Sequence, residues 1–129
     1  MKILFMCVAN SARSQLAEGL ARSVFPNAEI ESAGSHPGKL NPHAVAVMKE
    51  IGLDISRHYS KSVDDLSPGF IAGLDYVITL CAEEVCPTMT SKARKLHWPQ
   101  PDPTTFQHFR VARDAILARL NEFKKEAGQ

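Results

Sequence analysis

A cysteine and an arginine with the spacing of an oxyanion-binding loop lie near the N-terminus. Cys7 and Arg13 belong to the stretch Cys-Val-Ala-Asn-Ser-Ala-Arg-Ser, which joins a short apolar segment to a helical one. Backbone N–H groups in a loop that opens a helix have no intrahelical partners, and the helix dipole adds partial positive charge there. The guanidinium of Arg13 can bind an oxyanion through two parallel hydrogen bonds. The stretch therefore predicts a cradle for a tetrahedral anion with a thiol at its floor.

The same positive environment favours a thiolate at Cys7, and the thiolate is the nucleophilic form. Ser14 is placed either to donate a hydrogen bond to the sulfur or to cap the helix. Asn10 tolerates left-handed backbone geometry and can brace the loop with its side chain. The alternative interpretation is a buried, inert cysteine near a strand end. The residues expected to bind the anion are Val8, Ala9, Asn10, Ser11, Ala12, Arg13 and Ser14.

The composition is that of one ordinary soluble domain. The chain has 129 residues, with 15 basic and 14 acidic side chains. No basic block suggests nucleic acid, and no apolar run approaches the roughly 20 residues that span a membrane. We therefore expect a cytoplasmic protein, in a compartment where thiols are normally reduced.

Hydrophobic periodicity predicts strands that alternate with helices along the chain. Strands are expected over 2–6, 29–32, 76–80 and 95–98, and helices over 14–25, 42–51 and 106–123, with a short helix between 64 and 73. Such alternation indicates a single α/β domain over residues 1–129, with a parallel sheet covered by helices on both faces. Ligands in such folds lie beyond the carboxyl ends of the strands. Cys7 and Cys81 both follow predicted strands, so we expect them at the same edge of the sheet.

Two further cysteines, Cys81 and Cys86, stand in the stretch Leu-Cys-Ala-Glu-Glu-Val-Cys-Pro. Three thiols fit one nucleophile plus a redox pair, and they also fit three unrelated cysteines. A zinc site would need further ligands, for which His97 and His108 are the candidates. In a helix, positions five apart are too distant for a disulfide, which needs Cα atoms within about 7 Å. We therefore predict a mobile redox segment, helical when reduced and distorted when oxidised.

We expect no metal site, because no two histidines have metal-ligand spacing. All are interpreted as surface or loop residues: His36, His43, His58, His97 and His108.

The loop that begins at Cys7 resembles the active-site loop of the low-molecular-weight phosphatase superfamily, which contains tyrosine phosphatases and thioredoxin-coupled arsenate reductases. The continuation Ser14-Gln-Leu-Ala-Glu-Gly19 is similar to the reductases, as are the cysteine pair with its acidic insert and the stretch Lys95-Leu-His-Trp98 before Asp102-Pro103. The insert between the paired cysteines is shorter than in the best-known reductases. The resemblance covers residues 2–123 and implies a four-stranded parallel sheet.

The resemblance also implies a mechanism of arsenic detoxification that needs no cofactor. Cys7 attacks arsenate, Cys81 attacks Cys7 and releases arsenite, and Cys86 then closes a Cys81–Cys86 disulfide. Thioredoxin or another dithiol reductant reduces that disulfide, and phosphate or sulfate acts as a mimic of arsenate. Asp102 is the candidate general acid, with an ordinary turn residue as the alternative.

Two other functions fit the same residues. A protein tyrosine phosphatase would use Cys7, Arg13 and Asp102 and leave the other thiols idle, and weak phosphatase activity is expected in a reductase too. A non-enzymatic redox or oxyanion sensor ranks third, because no separate partner-binding segment is evident.

Some reductases of this family bind potassium beside the loop. Their ligands match Asn10, Glu18, Ser32 and two positions after the second helix, one of them acidic, where this chain has Lys61. A lysine ammonium could take the place of the cation against Glu18, so we expect no potassium dependence. The alternative is that Lys61 is a solvated surface charge.

Overall fold

A four-stranded parallel sheet organises the protein. The structure is a computed structural model that describes residues 1–82 and 92–128. The strands, in the spatial order β2-β1-β3-β4, are β1 (Lys2–Cys7), β2 (Glu29–Gly34), β3 (Tyr76–Thr79) and β4 (Arg94–His97). The helices are α1 (Arg13–Val24), α2 (Pro42–Lys49), α3 (Pro68–Ala72) and α4 (Phe106–Glu126), with a 3₁₀ turn at Val63–Asp65. The predicted α/β fold with a central parallel four-stranded sheet is thus confirmed.

Helices cover both faces of the sheet because successive side chains of a strand point to opposite sides. Ile3 and Phe5 of β1 join the larger core, which contains apolar residues of α1, α2 and α4. Leu4 and Met6 join the smaller core on the other face, together with Phe70 of α3. No helix within the described residues is long and apolar enough to cross a membrane.

The element boundaries differ from the sequence expectations by a few residues. Helix α1 begins at Arg13, one residue earlier than predicted, and β3 ends at Thr79, one residue earlier. Helix α4 runs to Glu126, three residues further than predicted, because the polar residues after Phe123 continue the helix without an apolar stripe. Helix α2 begins as predicted, since the Asn41 side chain accepts a hydrogen bond from the His43 backbone N–H at 2.8 Å.

Parallel pairing brings the two chemically interesting strand ends together. Met6 of β1 is in register with Thr79 of β3, and the Leu80 N–H donates to the Met6 carbonyl at 2.9 Å. Cys7 and Cys81 therefore lie at the carboxyl edge of neighbouring strands, as predicted. Cys81 and Ala82 are outside any helix, and the rest of the predicted redox segment lies outside the described residues.

Gly34, the last residue of β2, supports the loop after β1 by leaving room for its backbone. A Cβ at Gly34 would overlap the Val8 carbonyl oxygen and would meet the Asn10 nitrogen and the Cys7 oxygen, both at 3.0 Å. These are backbone atoms that cannot rotate away, so only glycine fits here without moving the loop.

We predict that Gly34→Ala lowers the free energy of unfolding by about 1–3 kcal/mol, the usual cost of overpacking, and weakens sulfate binding. Urea denaturation and sulfate titration measure the two effects. Gly69→Ala is the matched control, because a Cβ at Gly69 in α3 meets no atom within 4 Å. Equal stability and sulfate affinity of the two variants would contradict the prediction.

Candidate active site

Cys7 ends β1 and lies at the floor of the loop that leads into α1. It is a free thiol and only 3% exposed. Its sulfur lies 2.9 Å from the Ser14 hydroxyl oxygen. Ser14 is the second residue of α1, whose N-cap is Ala12 without a side-chain cap. Of the two roles considered for Ser14, the structure therefore has the hydrogen bond to sulfur and not the helix cap.

The side chain of Asn10 determines which way the Ser14 hydroxyl points. Asn10 Oδ1 accepts hydrogen bonds from the Lys61 backbone N–H at 2.9 Å and from Gln15 Nε2 at 3.1 Å. These donors turn Asn10 Nδ2 toward Ser14, to which it donates at 2.8 Å. Asn10 occupies one lone pair of the Ser14 oxygen. When Cys7 is a thiolate it can only accept, so the Ser14 hydroxyl is then the donor and its hydrogen points to the sulfur.

The loop carbonyls point outward, each to a hydrogen-bond donor outside the cradle. The carbonyl of Val8 accepts from the His36 N–H at 2.9 Å, and that of Ser11 accepts from the Asn41 N–H at 2.8 Å. The carbonyl of Ala9 accepts from the Gly38 N–H at 3.0 Å and from the Ser60 hydroxyl at 2.6 Å.

In a trans peptide the N–H points opposite to the carbonyl, and the described residues contain no cis bond. The N–H groups that follow these carbonyls therefore point into the loop. Asn10 permits this tight path because its φ is 50°, in the left-handed region. The result is a concave nest of donors at the N-terminus of a 12-residue helix, a site suited to anions.

Arg13 and Asp102 complete the cradle. A cavity of about 280 Å³ is lined by Cys7, Val8, Ala9, Ser11, Ala12, Arg13 and Asp102. Arg13 is 6% exposed, and its Nη1 donates to the Gln100 carbonyl at 3.1 Å. Its Nη2 lies 3.9 Å from Asp102 Oδ1. The predicted nucleophile, oxyanion ligand and general acid thus line one cavity.

The second predicted thiol, Cys81, is buried and disulfide-bonded. Cys86 lies outside the described residues, so the Cys81–Cys86 pairing stays a prediction. Within residues 1–82 and 92–128, no group of three or more His, Cys, Asp or Glu side chains could hold a metal ion.

A group of charges around the buried residues Glu18 and Lys61, the Glu18 cluster, lies behind the loop. It consists of Glu18, Arg22, Glu31, His58 and Lys61. The Lys61 ammonium lies 3.6 Å from Glu18 Oε1 and 3.4 Å from Glu31 Oε2. Ser32 donates its hydroxyl to Glu18 Oε1 at 2.6 Å. Lys61 is only 6% exposed, so the interpretation of a solvated surface charge is wrong. The ammonium is paired with Glu18, and its replacement of a bound cation stays a prediction.

His58 and Gln15 also belong to the site, although the residues around them in the sequence do not indicate it. Gln15 is fully buried beneath the loop, and its Oε1 lies 3.1 Å from His58 Nδ1. His58 is in a loop, as expected, but it is largely inside. Burial lowers the pKa of His58 below its ordinary 6.5, with Arg22 and Lys61 adding to the effect and Glu18 and Glu31 opposing it. The clue available in the sequence was Gln15 itself, a polar residue on the buried side of α1.

Comparison with known proteins agrees with this geometry. Residues 2–128 match the family model described as low molecular weight phosphotyrosine protein phosphatase. The chain is 37% identical to an arsenate reductase of Staphylococcus aureus strain Newman over 127 residues, which cover 95% of each protein.

Two solved structures are similar along nearly the whole chain. One is an arsenate reductase in its phosphate-binding state, with a TM-score of 0.83, 29% identity and 98% of each chain covered. The other is a thioredoxin-dependent arsenate reductase of Corynebacterium glutamicum, with a TM-score of 0.77 and 30% identity, covering 99% of this chain and 63% of that one.

We predict that potassium stabilises the protein no more than sodium, because the Lys61 ammonium already neutralises Glu18. Melting temperatures at equal concentrations of the two chlorides check this. In the comparison variant Lys61→Ala the melting temperature should fall, since a buried carboxylate loses a partner, and added cations should partly restore it. A much larger stabilisation of the unmodified protein by potassium than by sodium would refute the prediction.

We predict that His58 contributes to acid destabilisation. Its folded pKa lies below the ordinary 6.5, so as pH falls through 6.5 the unfolded chain binds a proton that the folded protein does not. The contribution of His58 to the free energy of unfolding is therefore fully present above pH 6.5 and is lost as the pH falls below 6.5. Urea unfolding at pH 7.5 and at successively lower pH should give a smaller loss for His58→Asn than for the unmodified protein. Equal losses would exclude His58 as the titrating group.

Proposed function

The chain belongs to the low molecular weight phosphotyrosine protein phosphatase family, and within that family we propose that it is an arsenate reductase with a three-cysteine relay. We further propose that residues 1–129 form one reductase domain and that it acts in the cytoplasm. The observation that carries this proposal is Cys7, a hydrogen-bonded free thiol at the floor of an anion-sized cradle. A second cysteine, Cys81, follows the neighbouring strand. The arsenate reductases among its relatives support the same activity.

In the first step the cradle binds arsenate through the loop N–H groups and the Arg13 guanidinium. The Cys7 thiolate attacks arsenic, forms a sulfur–arsenic bond and displaces one oxygen as water. The inward N–H groups need no reorganisation to receive the developing negative charge, which is the condition for strong electrostatic stabilisation. The Ser14 hydroxyl releases the sulfur as its charge moves to the arsenate group.

Asp102 is the proposed donor of the proton that the leaving oxygen needs. It lines the same cavity as the loop, and its carboxylate is 3.9 Å from the Arg13 guanidinium. Its side chain is 64% exposed, so it can regain a proton from solvent between turnovers.

The redox step transfers two electrons from sulfur to arsenic. The Cys81 thiolate attacks the Cys7 sulfur and a Cys7–Cys81 disulfide forms. The sulfur–arsenic bond breaks and its electron pair leaves with arsenic, which departs as arsenite. Cys86 then attacks Cys81, which frees Cys7 and leaves a Cys81–Cys86 disulfide. An external dithiol, thioredoxin in this proposal, restores both thiols by exchange.

The pairing of β1 with β3 supports the relay, because the first two thiols start from neighbouring strand ends. Leu80, which precedes Cys81, is hydrogen-bonded to Met6, which precedes Cys7. The first two thiols of the proposed relay therefore follow residues that are hydrogen-bonded to each other.

We predict steady arsenate-dependent NADPH consumption with thioredoxin and thioredoxin reductase, and at most one turnover for Cys86→Ser. The variant can release arsenite once but cannot free Cys7 from the mixed disulfide. Cys7→Ser is the control that should give no arsenite at all.

The same proteins separate the proposal from its competitors. Hydrolysis of an aryl phosphate that survives Cys86→Ser, without arsenate reduction, would make the chain a phosphatase. Stoichiometric oxidation without saturable turnover would make it a sensor. Steady turnover by Cys86→Ser would contradict the third step of the relay alone.

A further inference from the structure

Gln15 connects the nucleophile loop to the segment that follows α2. The two hydrogens of its Nε2 are shared among three acceptors: the Asn10 carbonyl at 3.1 Å, Asn10 Oδ1 at 3.1 Å and the Tyr59 carbonyl at 3.0 Å. All three are oxygens that accept only. An amide rotated by 180° would place Oε1 against three other oxygens, which is unfavourable in a fully buried position. Only one orientation of the Gln15 amide therefore suits the loop.

His58 stabilises that same orientation from the other side. Its Nδ1 lies 3.1 Å from Gln15 Oε1 and 3.4 Å from Glu18 Oε2. Since both neighbours are acceptors, Nδ1 must carry a hydrogen, and the neutral ring is the Nδ1–H tautomer. The direction of the Gln15 amide thus requires the Nδ1–H tautomer of His58, and the hydrogen on Nδ1 in turn stabilises that direction.

The hydrogen bonds run without a break from His58 to the sulfur. His58 Nδ1–H donates to Gln15, Gln15 donates to Asn10, Asn10 donates to Ser14, and Ser14 donates to Cys7 when the sulfur is a thiolate. Within this chain, His58 is the member with two tautomers, and only one of them fits.

We propose that His58 is a positioning residue for Cys7, which holds the Ser14 hydroxyl toward the thiolate through Gln15 and Asn10. It touches neither the oxyanion nor the sulfur. Its role is to keep one hydrogen on the Gln15 side, and so to keep the whole series of donors pointing at Cys7. The proposal concerns the state of the nucleophile and does not rest on arsenate as the substrate or on the relay.

The surroundings of His58 favour the neutral ring. Glu18 and Arg22 face it from α1, Glu31 faces it from β2, and Lys61 faces it from its own segment. Burial and the two cations lower the pKa of His58, which favours the neutral ring. The acceptors beside Nδ1, Gln15 Oε1 and Glu18 Oε2, place the single hydrogen of that ring on Nδ1. The Glu18 cluster thereby selects the tautomer that Gln15 needs.

A matched pair of variants tests the proposal. In asparagine the amide nitrogen is bonded to Cγ as Nδ1 is in histidine, so His58→Asn keeps a donor for Gln15. His58→Leu has a methyl group at that position and loses the donor. Both variants remove the ring and disturb packing, so a difference between them reports on the hydrogen bond.

The measurement is the rate at which iodoacetamide alkylates Cys7 in the reduced full-length protein, followed by mass spectrometry of the Cys7 peptide as a function of pH. We predict that His58→Leu slows alkylation at neutral pH roughly three- to tenfold, the effect of weakening one hydrogen bond to the thiolate. The plateau rate at high pH should not change, because access to the sulfur is the same. His58→Asn should stay within about twofold of the unmodified protein.

Several results would overturn the proposal. Equal neutral-pH rates for His58→Leu and the unmodified protein would exclude a role at the nucleophile. Equal slowing in both variants would reduce His58 to a packing residue. If His58→Leu does not fold, the ¹⁵N chemical shifts of the His58 ring in the unmodified protein test the proposal, because they show which ring nitrogen carries the hydrogen. A ring that carries its hydrogen on Nε2 would contradict the chain of donors.

Discussion

The active-site loop depends on the hydrogen bonds of a single buried residue, Asn10. Its backbone takes the left-handed conformation that turns the chain, and its carbonyl and its side-chain oxygen both accept from Gln15. Its side-chain nitrogen donates to Ser14. Every polar group of the side chain is thus paired, which makes an amide acceptable in a fully buried position. The same contacts fix the loop and direct a hydrogen to Cys7, so the fold of the loop and the state of the nucleophile have a common cause.

The charged residues behind the loop are explained by the burial of Glu18. Glu18 is 3% exposed, and a carboxylate at such a depth is costly unless it is paired. Lys61 and Arg22 supply positive charge, and Ser32 supplies a hydrogen bond. Lys61 also donates its backbone N–H to Asn10. One residue therefore neutralises the buried carboxylate with its side chain and holds the loop with its backbone.

The sequence predicts much of this structure because the relevant signals are local. The β-branched run in β3, the Asn41–Pro42 start of α2 and the loop that opens α1 each depend on neighbouring residues. Cys7 and Arg13 could be named because residue type and position relative to a strand are enough to suggest their chemistry. Asp102 could be named only because Asp102-Pro103 resembles the corresponding stretch of the reductases. The sheet edge that Cys7 and Cys81 share also follows from the alternation of strands and helices.

What the sequence does not contain is the pairing of distant polar groups. His58 and Gln15 are 43 positions apart, and nothing in either residue's neighbours indicates that they meet. Lys61 could be interpreted as solvated because its burial results from the packing of its segment against β2 and α1. The choice between the roles of Ser14 likewise depends on Asn10, whose amide is oriented by residues from two other segments. Long-range hydrogen bonds have no periodicity, so they appear only in three dimensions.

The distinction between a reductase and a phosphatase lies outside the anion cradle itself. Phosphate and arsenate are tetrahedral anions of similar size, and a nest of N–H groups with an arginine binds either. Arg13 is held by the Gln100 carbonyl, and the Gln100 N–H is held in turn by the Leu80 carbonyl. The segment that ends in Cys81 therefore also supports the arginine that binds the oxyanion. In the proposed reductase, the residue that follows Leu80 adds a second thiol to this support. In this proposal the difference in chemistry follows from Cys81, two residues after the end of β3, and not from the shape of the cradle.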